Sequence, residues 1–521
     1  MKSNPKHSSL PRETDVVVIG SGIGGLCCAA LLARYGFKVV VCESHTIPGG
    51  AAHAFERNGF IFDSGPSLHS GLSYSPSPHP LRQVLDAISE DLPCATYDTW
   101  GCWFPEGRYD IAVGAEPFCE VLQQIRGDCA VAEWRDLQAK MAPLKEAAIA
   151  IPPLSLRFDW GALATAGRFT PNLARHLGRI GTLTGPFSKA IANIRDPFIR
   201  NWLDLLCFLL SGLPADGTST AEMAFMFAEW YRPRVKLDYP IGGTGALVEA
   251  LVRGLIKFGG QLHLGKHVDR VCIEQNRATG VQLRNGKILR AREAVISNAS
   301  VWDTLKLLPE EQLPNRDRAK RQATPACHSF MHLHLGIDGS TLPDDLACHY
   351  AVVNDWARGV TAPQNVVLIS IPSVLDPSLA PTGKHVIHAY TPGNEPYELW
   401  AGLDRRSPQY AELKQQRAEV MWQALERFIP DIRARTELAL VGTPLTHERF
   451  LRRDRGSYGP AIRAGEALFP GPKTPIRGLL CCGDSTFPGI GLPAVAASGA
   501  IAANTLAPTH QHLKLLKTLS L

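Results

Sequence analysis

A short apolar run, Val16 to Ile19, leads directly into Gly20-Ser21-Gly22-Ile23-Gly24-Gly25, and this junction constrains the fold more than any other stretch. The apolar run reads as a fully buried parallel strand. A helical stretch from about Leu26 to Arg34 follows, closed by Gly36, and a second apolar strand, Lys38 to Cys42, ends at Glu43. Gly20 allows the tight turn, Gly22 lets backbone approach a diphosphate, and Gly25 lets the helix lie against the strand. Ile23 and Gly24 fall where the helix begins, and its unpaired N–H groups and dipole attract the diphosphate. Glu43, 18 residues beyond Gly25, stands where a carboxylate accepts hydrogen bonds from a ribose diol. A glycine turn preceded by a strand, followed by a helix and answered by an acid at the next strand end predicts a dinucleotide-binding α/β unit.

The residues after Glu43 narrow the dinucleotide. Ser44-His45-Thr46-Ile47-Pro48-Gly49-Gly50-Ala51-Ala52 places a glycine pair six residues past the acid. This resembles the flavoproteins of the amine oxidase and phytoene desaturase superfamily, in which the backbone here passes close to the flavin's phosphates and ring. The resemblance puts Ser44, Gly49, Gly50 and Ala51 at an FAD. Many relatives carry an arginine just after the pair; Ala51 and Ala52 stand here instead, so that cationic role is not carried over. Near the other end, Ile476 to Cys482 reads as a buried strand, followed by Gly483-Asp484, then Gly491 and a small-residue helix from Ala494 to Ala503. This unit resembles the superfamily's second flavin motif, which implies that Asp484 holds a ribityl or phosphate-linked hydroxyl. A third stretch runs from Pro240 through a helix (Ala246 to Phe258), a strand at Gln261 to Leu264, and Val268 to Ile273. A hairpin through Asn285-Gly286 follows, and Glu293 to Ala299 returns to the nucleotide-binding sheet. By resemblance, Val268 contacts the adenine end through its backbone, although simple sheet packing explains it equally well.

Further motifs point deeper into the superfamily. The segment Phe55 to Pro66, the runs Thr443 to Leu451 (TPLTHERFL) and Gly456 to Pro460 (GSYGP), and Gly483 to Gly499 (GDSTFPGIGLPAVAASG) are similar to the plant and cyanobacterial carotenoid isomerase-like group. The resemblance spans about Asp15 to Leu506. It implies an FAD-dependent cis–trans isomerase of carotenoids, with a prolycopene-type substrate, that uses reduced flavin without net redox change. An FAD-dependent carotenoid or retinoid desaturase or saturase would share every one of these motifs. A non-catalytic flavin-binding pigment-assembly protein is the third reading. A cofactor can carry this chemistry while the protein positions the substrate and excludes water, and no catalytic side chain is nominated. No second G-x-G-x-x-G unit marks a nicotinamide site, so the electron donor or acceptor is left open.

The expected architecture is α/β: a doubly wound, Rossmann-like FAD-binding domain, discontinuous in sequence (10–90, 236–300 and 440–510), with a mixed α+β substrate domain (91–235 and 301–439). Strands at Gln364 to Ile371 and Lys384 to Tyr390 and a helix at Glu412 to Phe428 belong to the latter, with an apolar tunnel between the domains. With 521 residues, 45% hydrophobic and 20% charged, the chain has the composition of a globular enzyme. A net charge of +5, dispersed along the sequence, does not suggest nucleic acid. Thirteen cysteines without C-x-x-C spacing indicate neither a zinc ribbon nor a disulfide framework. His332 and His334 alternate onto one face of a strand without a carboxylate at ligand spacing, so no metal is expected.

Between Asp159 and Asp196 the chain carries Arg168, Arg175, Arg179, Lys189 and Arg195 and no acid. Leu163, Phe169, Leu173, Leu177, Ile180, Leu183, Phe187 and Ile191 interleave with them. Such a segment suits an interfacial helix, and a solvated helix face is the plainer alternative. Because a carotenoid dissolves in the bilayer, peripheral membrane association is expected. The first fourteen residues lack the apolar core of a secretory signal. The corresponding location is the cytoplasmic side of a cyanobacterial-type membrane, or a plastid if a transit peptide has been removed.

Overall fold

The computed structural model describes residues 9–65, 67–343 and 345–521. Residues 1–8, read above for a signal, and Pro66, which closes one of the motifs, lie outside the described residues. Two seven-stranded sheets organise the molecule. In the first, five strands run parallel in the order Gln261–His263, Val39–Cys42, Glu13–Ile19, Ile288–Ser297 and Leu479–Cys481. Strands separated by more than 400 residues therefore share one sheet. Val16 and Val18 bury one face against the helices Ile23–Arg34, Gly243–Lys257 and Leu492–Leu506. Val17 and Ile19 bury the other against Val268, Val271, Val281 and Leu305. An unbroken apolar run is what a strand covered on both sides requires.

The hairpin expected at Asn285-Gly286 joins Arg277–Leu283 to Ile288–Ser297. A second turn precedes it, between Val268–Glu274 and Arg277–Leu283, where Gln275 and Asn276 both take positive φ (48° and 56°). Asn tolerates that left-handed conformation better than most residues, yet Gln-Asn is a weaker signal than Asn-Gly and went unread.

The second sheet has the order Thr436–Gly442, Ser329–Asp338, Lys384–Glu395, Val366–Ser370, His349–Val353, Thr99–Phe104 and Gly107–Ala112. One face, bearing Met331, Leu333, Leu335 and Ile337, is covered by Tyr410, Met421 and Leu425 of helix Pro408–Glu426. The alternate residues, His332 and His334, therefore face the opposite way. A helical layer of Ala115–Arg126, Asp128–Ile149, Pro197–Ser211 and Thr220–Trp230 encloses Trp134, Trp202, Phe118 and Phe227.

One expectation fails. The basic stretch 159–196 is not a single amphipathic helix but four short ones, Gly161–Arg168, Thr170–His176, Ile180–Thr184 and Phe187–Ala190, with a 3-10 turn at Leu177–Arg179. Gly178, Gly181 and Gly185-Pro186 interrupt the periodicity. Phe169, Phe187 and Ile191 turn inward, and the side chains of Leu173 and Leu177 lie outside what is described. Trp160 at 90% and Leu163 at 73% exposure stand out into solvent.

Candidate flavin site and its cavity

The glycine turn packs against a side chain that the sequence did not single out. Asn298 follows strand Ile288–Ser297, and its backbone N–H donates to Ile19 O at 2.9 Å. Its amide lies between the N-terminal and C-terminal turns. A Cβ on Gly22 would meet Asn298 Nδ2 at 2.8 Å, and one on Gly24 or on Gly483 would meet Oδ1 at 2.8 Å. A Cβ on Gly25 would meet the Gly20 carbonyl oxygen at 2.3 Å. The glycines thus let three turns converge, beyond any approach to a ligand. The glycine pair joins the same knot: Gly49 N–H donates to Ser21 O at 3.0 Å, and a Cβ on Gly50 would stand 3.0 Å from Gly22 Cα.

Glu43 is fixed before any ribose arrives. The Ser21 N–H and hydroxyl both donate to Oε2 at 2.7 Å, and the His45 N–H donates to Oε1 at 2.7 Å. Asp484 is paired as well. Arg453 Nη1 lies 2.5 Å from its Oδ2, and Arg453 is itself held by the Ser457 and Tyr458 carbonyls at 2.5 and 3.0 Å. The sequence assigned no site role to Ser21, Asn298 or Arg453. Ser21 sits inside the glycine motif and was the most readable of the three.

Two helix N-termini open here without a side-chain cap. They belong to Ile23–Arg34, after Gly22, and Leu492–Leu506, after Gly491. Their first N–H groups have no partner within the helix and present positive dipole ends.

These elements border one cavity of about 1110 Å³. Gly20, Gly22, Ile23, Gly24, Glu43, Ser44, Gly49, Gly50, Ala51, Val268, Gly483, Asp484 and Gly491 all line it; of the cofactor residues expected from the sequence, Gly25 alone does not, its close packing being against the Gly20 carbonyl. The cavity exceeds the roughly 300–1,000 Å³ usual for one small ligand. Away from the turns its wall is largely apolar, with Leu206, Leu209 and Leu210 from one helix, Phe225 and Met226 from another, and Phe330, Leu368 and Tyr390 from the second sheet.

That sheet also contributes imidazoles. The antiparallel register sets His334 opposite His388 and His332 opposite Tyr390, and helix Pro444–Leu451 brings in His447. His332 Nδ1 lies 2.9 Å from His388 Nε2, and His332 Nε2 lies 2.9 Å from His447 Nε2. His334 Nε2 donates to Asp63 O at 3.2 Å. Burial holds every one of them neutral: His334 is lowered to about 4, His447 to about 3, and His332 and His388 fall well below the usual imidazole range. Neutral His332, His334 and His388 within ligand distance of one another resemble a metal site. Their rings speak against it. His334 and His388 stack at 4.2 Å with 5° between planes, whereas a cation must lie in the plane of each imidazole that binds it. The sequence brought together only His332 and His334, on strand Ser329–Asp338; His388 and His447 lie 56 and 115 residues beyond His332.

A parallel nucleotide-binding sheet, a second mixed sheet and one cavity bordered by both define a flavin oxidoreductase architecture. The chain belongs to the flavin containing amine oxidoreductase family, whose sequence model matches residues 23–507. It is 33% identical to prolycopene isomerase 1, chloroplastic, of an Oncidium hybrid cultivar, over 95% of this chain and 84% of the relative. It is 26% identical to the neurosporene-forming phytoene desaturase of Rhodobacter capsulatus, over 94% and 93%. Among solved structures an oxidoreductase from Methanosarcina mazei shares the fold, with a TM-score of 0.59 at 20% identity, over 93% of this chain and 98% of that one.

Proposed function

We propose that this chain is an FAD-dependent cis–trans isomerase of carotenoids, acting on a prolycopene-type substrate with reduced flavin and no net redox change. The observation that carries the reading is a single cavity running from the nucleotide turns to an apolar wall, in a chain similar to prolycopene isomerases along nearly its whole length. The residues present fit FAD. The uncapped N–H groups at Gly22 to Gly24 suit a diphosphate, Glu43 suits a ribose diol, and Asp484 beside Arg453 suits the ribityl side. The second uncapped helix end, after Gly491, suits an electron-rich part of the ring system. When bound in reduced form, the cofactor supplies electron density that transiently lowers the order of a conjugated double bond, so that rotation becomes easy.

The protein's own contribution is orientation and exclusion of water. Phe330, Leu368 and Tyr390 give the polyene an apolar bed, and the neutral imidazoles of His332 and His447 on the same wall add no fixed charge beside it. Exposed Trp160 and Leu163, in the segment that ends in Arg168, offer contact with the bilayer in which such a substrate dissolves. Among the described residues no helix is long and apolar enough to cross a membrane.

One observation favours a desaturase as the second reading: the chain is also 26% identical, over 94% of its length, to a phytoene desaturase. Parallel incubations with prolycopene in liposomes, one of prereduced protein without oxygen and one of oxidised protein with a quinone or oxygen, separate the two. The isomerase reading expects product of unchanged mass with no acceptor consumed. Product two hydrogens lighter, formed by oxidised protein with matching consumption of a quinone or oxygen, would establish the desaturase instead.

A further inference from the structure

The cavity wall farthest in character from its apolar helices carries polar atoms that the fold leaves unused. Glu229, at the end of helix Thr220–Trp230, is 1% exposed. Tyr74 Oη donates to its Oε1 at 3.0 Å, while Oε2 has no hydrogen-bond partner among the described residues. Oε2 rests against Gly71, where a Cβ would meet it at 2.5 Å. Two residues earlier in the chain, His69 is 3% exposed with neither ring nitrogen paired. His79 is adjacent, its Cβ 2.9 Å from the same point at Gly71. Its Nδ1 accepts the Leu81 N–H at 3.2 Å, so the neutral ring carries its hydrogen on Nε2. Glu229, His69 and His79 line the cavity that the flavin motifs border, beside Leu206, Phe225 and Met226.

Buried polar groups in a folded protein are paired as a rule, and the exceptions call for a ligand or a role. We propose that Glu229 and His69 bind a terminal hydroxyl of an elongated polyene, so that the preferred substrate is a hydroxylated carotenoid rather than a pure hydrocarbon. The inference rests on the flavin-dependent carotenoid reading above and goes beyond its prolycopene-type hydrocarbon substrate to a hydroxylated one. A hydroxyl carries one hydrogen and two lone pairs. It donates to Glu229 Oε2 and accepts from the imidazole N–H, satisfying both sides at once. A ketone only accepts and leaves Oε2 unpaired; a hydrocarbon leaves both groups buried and unpaired. The apolar side chains around them accept the polyene in all three cases, so discrimination falls on the terminus.

The test uses the full-length, flavin-loaded protein and three C40 polyenes of one carbon skeleton, a diol, the corresponding diketone and the hydrocarbon, delivered in detergent micelles. Binding is followed by quenching of tryptophan fluorescence. The diol is expected to bind roughly 10- to 100-fold more tightly than the hydrocarbon, with the diketone between them. Glu229→Leu should bring the diol down to about the diketone's affinity while the hydrocarbon binds as well or better; adding His69→Leu should erase the remaining difference. Equal binding of diol and hydrocarbon by the unaltered protein overturns the proposal and leaves the carotenoid reading standing, whether or not the variants fold. No binding of any of the three overturns both. A preference that survives Glu229→Leu undiminished in folded, flavin-loaded protein also overturns it.

Discussion

Close approach of backbone at a few atoms decides whether the nucleotide turn can form. Gly25 gives the sharpest case, because the atom a Cβ would meet at 2.3 Å is the carbonyl oxygen of Gly20, which cannot rotate away as a side chain can. Gly25→Ala should therefore cost about 1–3 kcal/mol through forced backbone movement and lower the flavin-to-protein absorbance ratio, although Gly25 lines no part of the cavity. Full flavin content and an unchanged denaturation midpoint would contradict the converging-turn account. The buried imidazoles make a second prediction. His334 and His447 titrate near 6.5 when unfolded and at about 4 and about 3 when folded. Below pH 6.5 the unfolded chain takes up protons that the native state refuses, so their contribution is complete above that pH and is lost as pH falls toward the folded values. Each group accounts for about 1.4 kcal/mol per pH unit across that window. Urea midpoints should fall steeply between pH 6.5 and 4.5, and His334→Gln should flatten the slope; a level profile would mean that these rings are not buried as described.

Helices and strands meet through a small number of committed contacts. Glu395, fully buried at the end of strand Lys384–Glu395, accepts from Arg417 Nη2 at 2.6 Å and from Trp400 Nε1 at 2.9 Å. Arg417 lies on helix Pro408–Glu426, so this pair fixes that helix over the second sheet. Arg417→Ala leaves a buried carboxylate unpaired and should cost about 3–5 kcal/mol, whereas replacing both partners by apolar residues should cost much less. Thermal unfolding of the single and double variants checks this. Among the surface elements, Trp160 and Leu163 at the start of helix Gly161–Arg168 are exposed, and the helix ends in the cation of Arg168. Trp160→Ala with Leu163→Glu should reduce cosedimentation with anionic liposomes, and charge reversal at Arg168, Arg175 and Arg179 should do so in a salt-sensitive way. Undiminished sedimentation of both variants would make this face an ordinary solvated one.

Across the whole molecule the C-terminal turn is pinned from outside its own sheet. Asp484 follows strand Leu479–Cys481, and its partner Arg453 is held by carbonyls of the segment after helix Pro444–Leu451. Asp484→Ala should leave both sheets intact while loosening whatever the turn positions, and a displacement of about 1 Å can lower a rate by about a hundredfold. Arg453→Ala should act in the same direction through Asp484. Turnover with prolycopene and circular dichroism, measured together, check both: lost rate with an unchanged spectrum is expected. Unchanged rates would remove Asp484 from the working site.

The elements bordering the glycine turn were legible because their signals are local. Strand, Gly20 to Gly25, helix and Glu43 follow one another within about thirty residues, and backbone sterics at that range leave few alternatives. The hairpin at Asn285-Gly286 and the strand–GD–helix unit at Gly483-Asp484 could be read for the same reason. Periodicity misled at 159–196, where polar and apolar spacing suggested one helix and interrupting glycines made four. The histidine array, the Arg453–Asp484 pair and the Asn298 amide among the glycines depend on strand register and on segments brought together across more than a hundred residues. Local propensity carries no information about such partners. Order along the chain was enough to read the glycine turn and the flavin-containing family to which the chain belongs. Only the tertiary structure decided which side chains close around that turn and which polar atoms remain unpaired in the cavity, because burial and pairing are properties of neighbours in space.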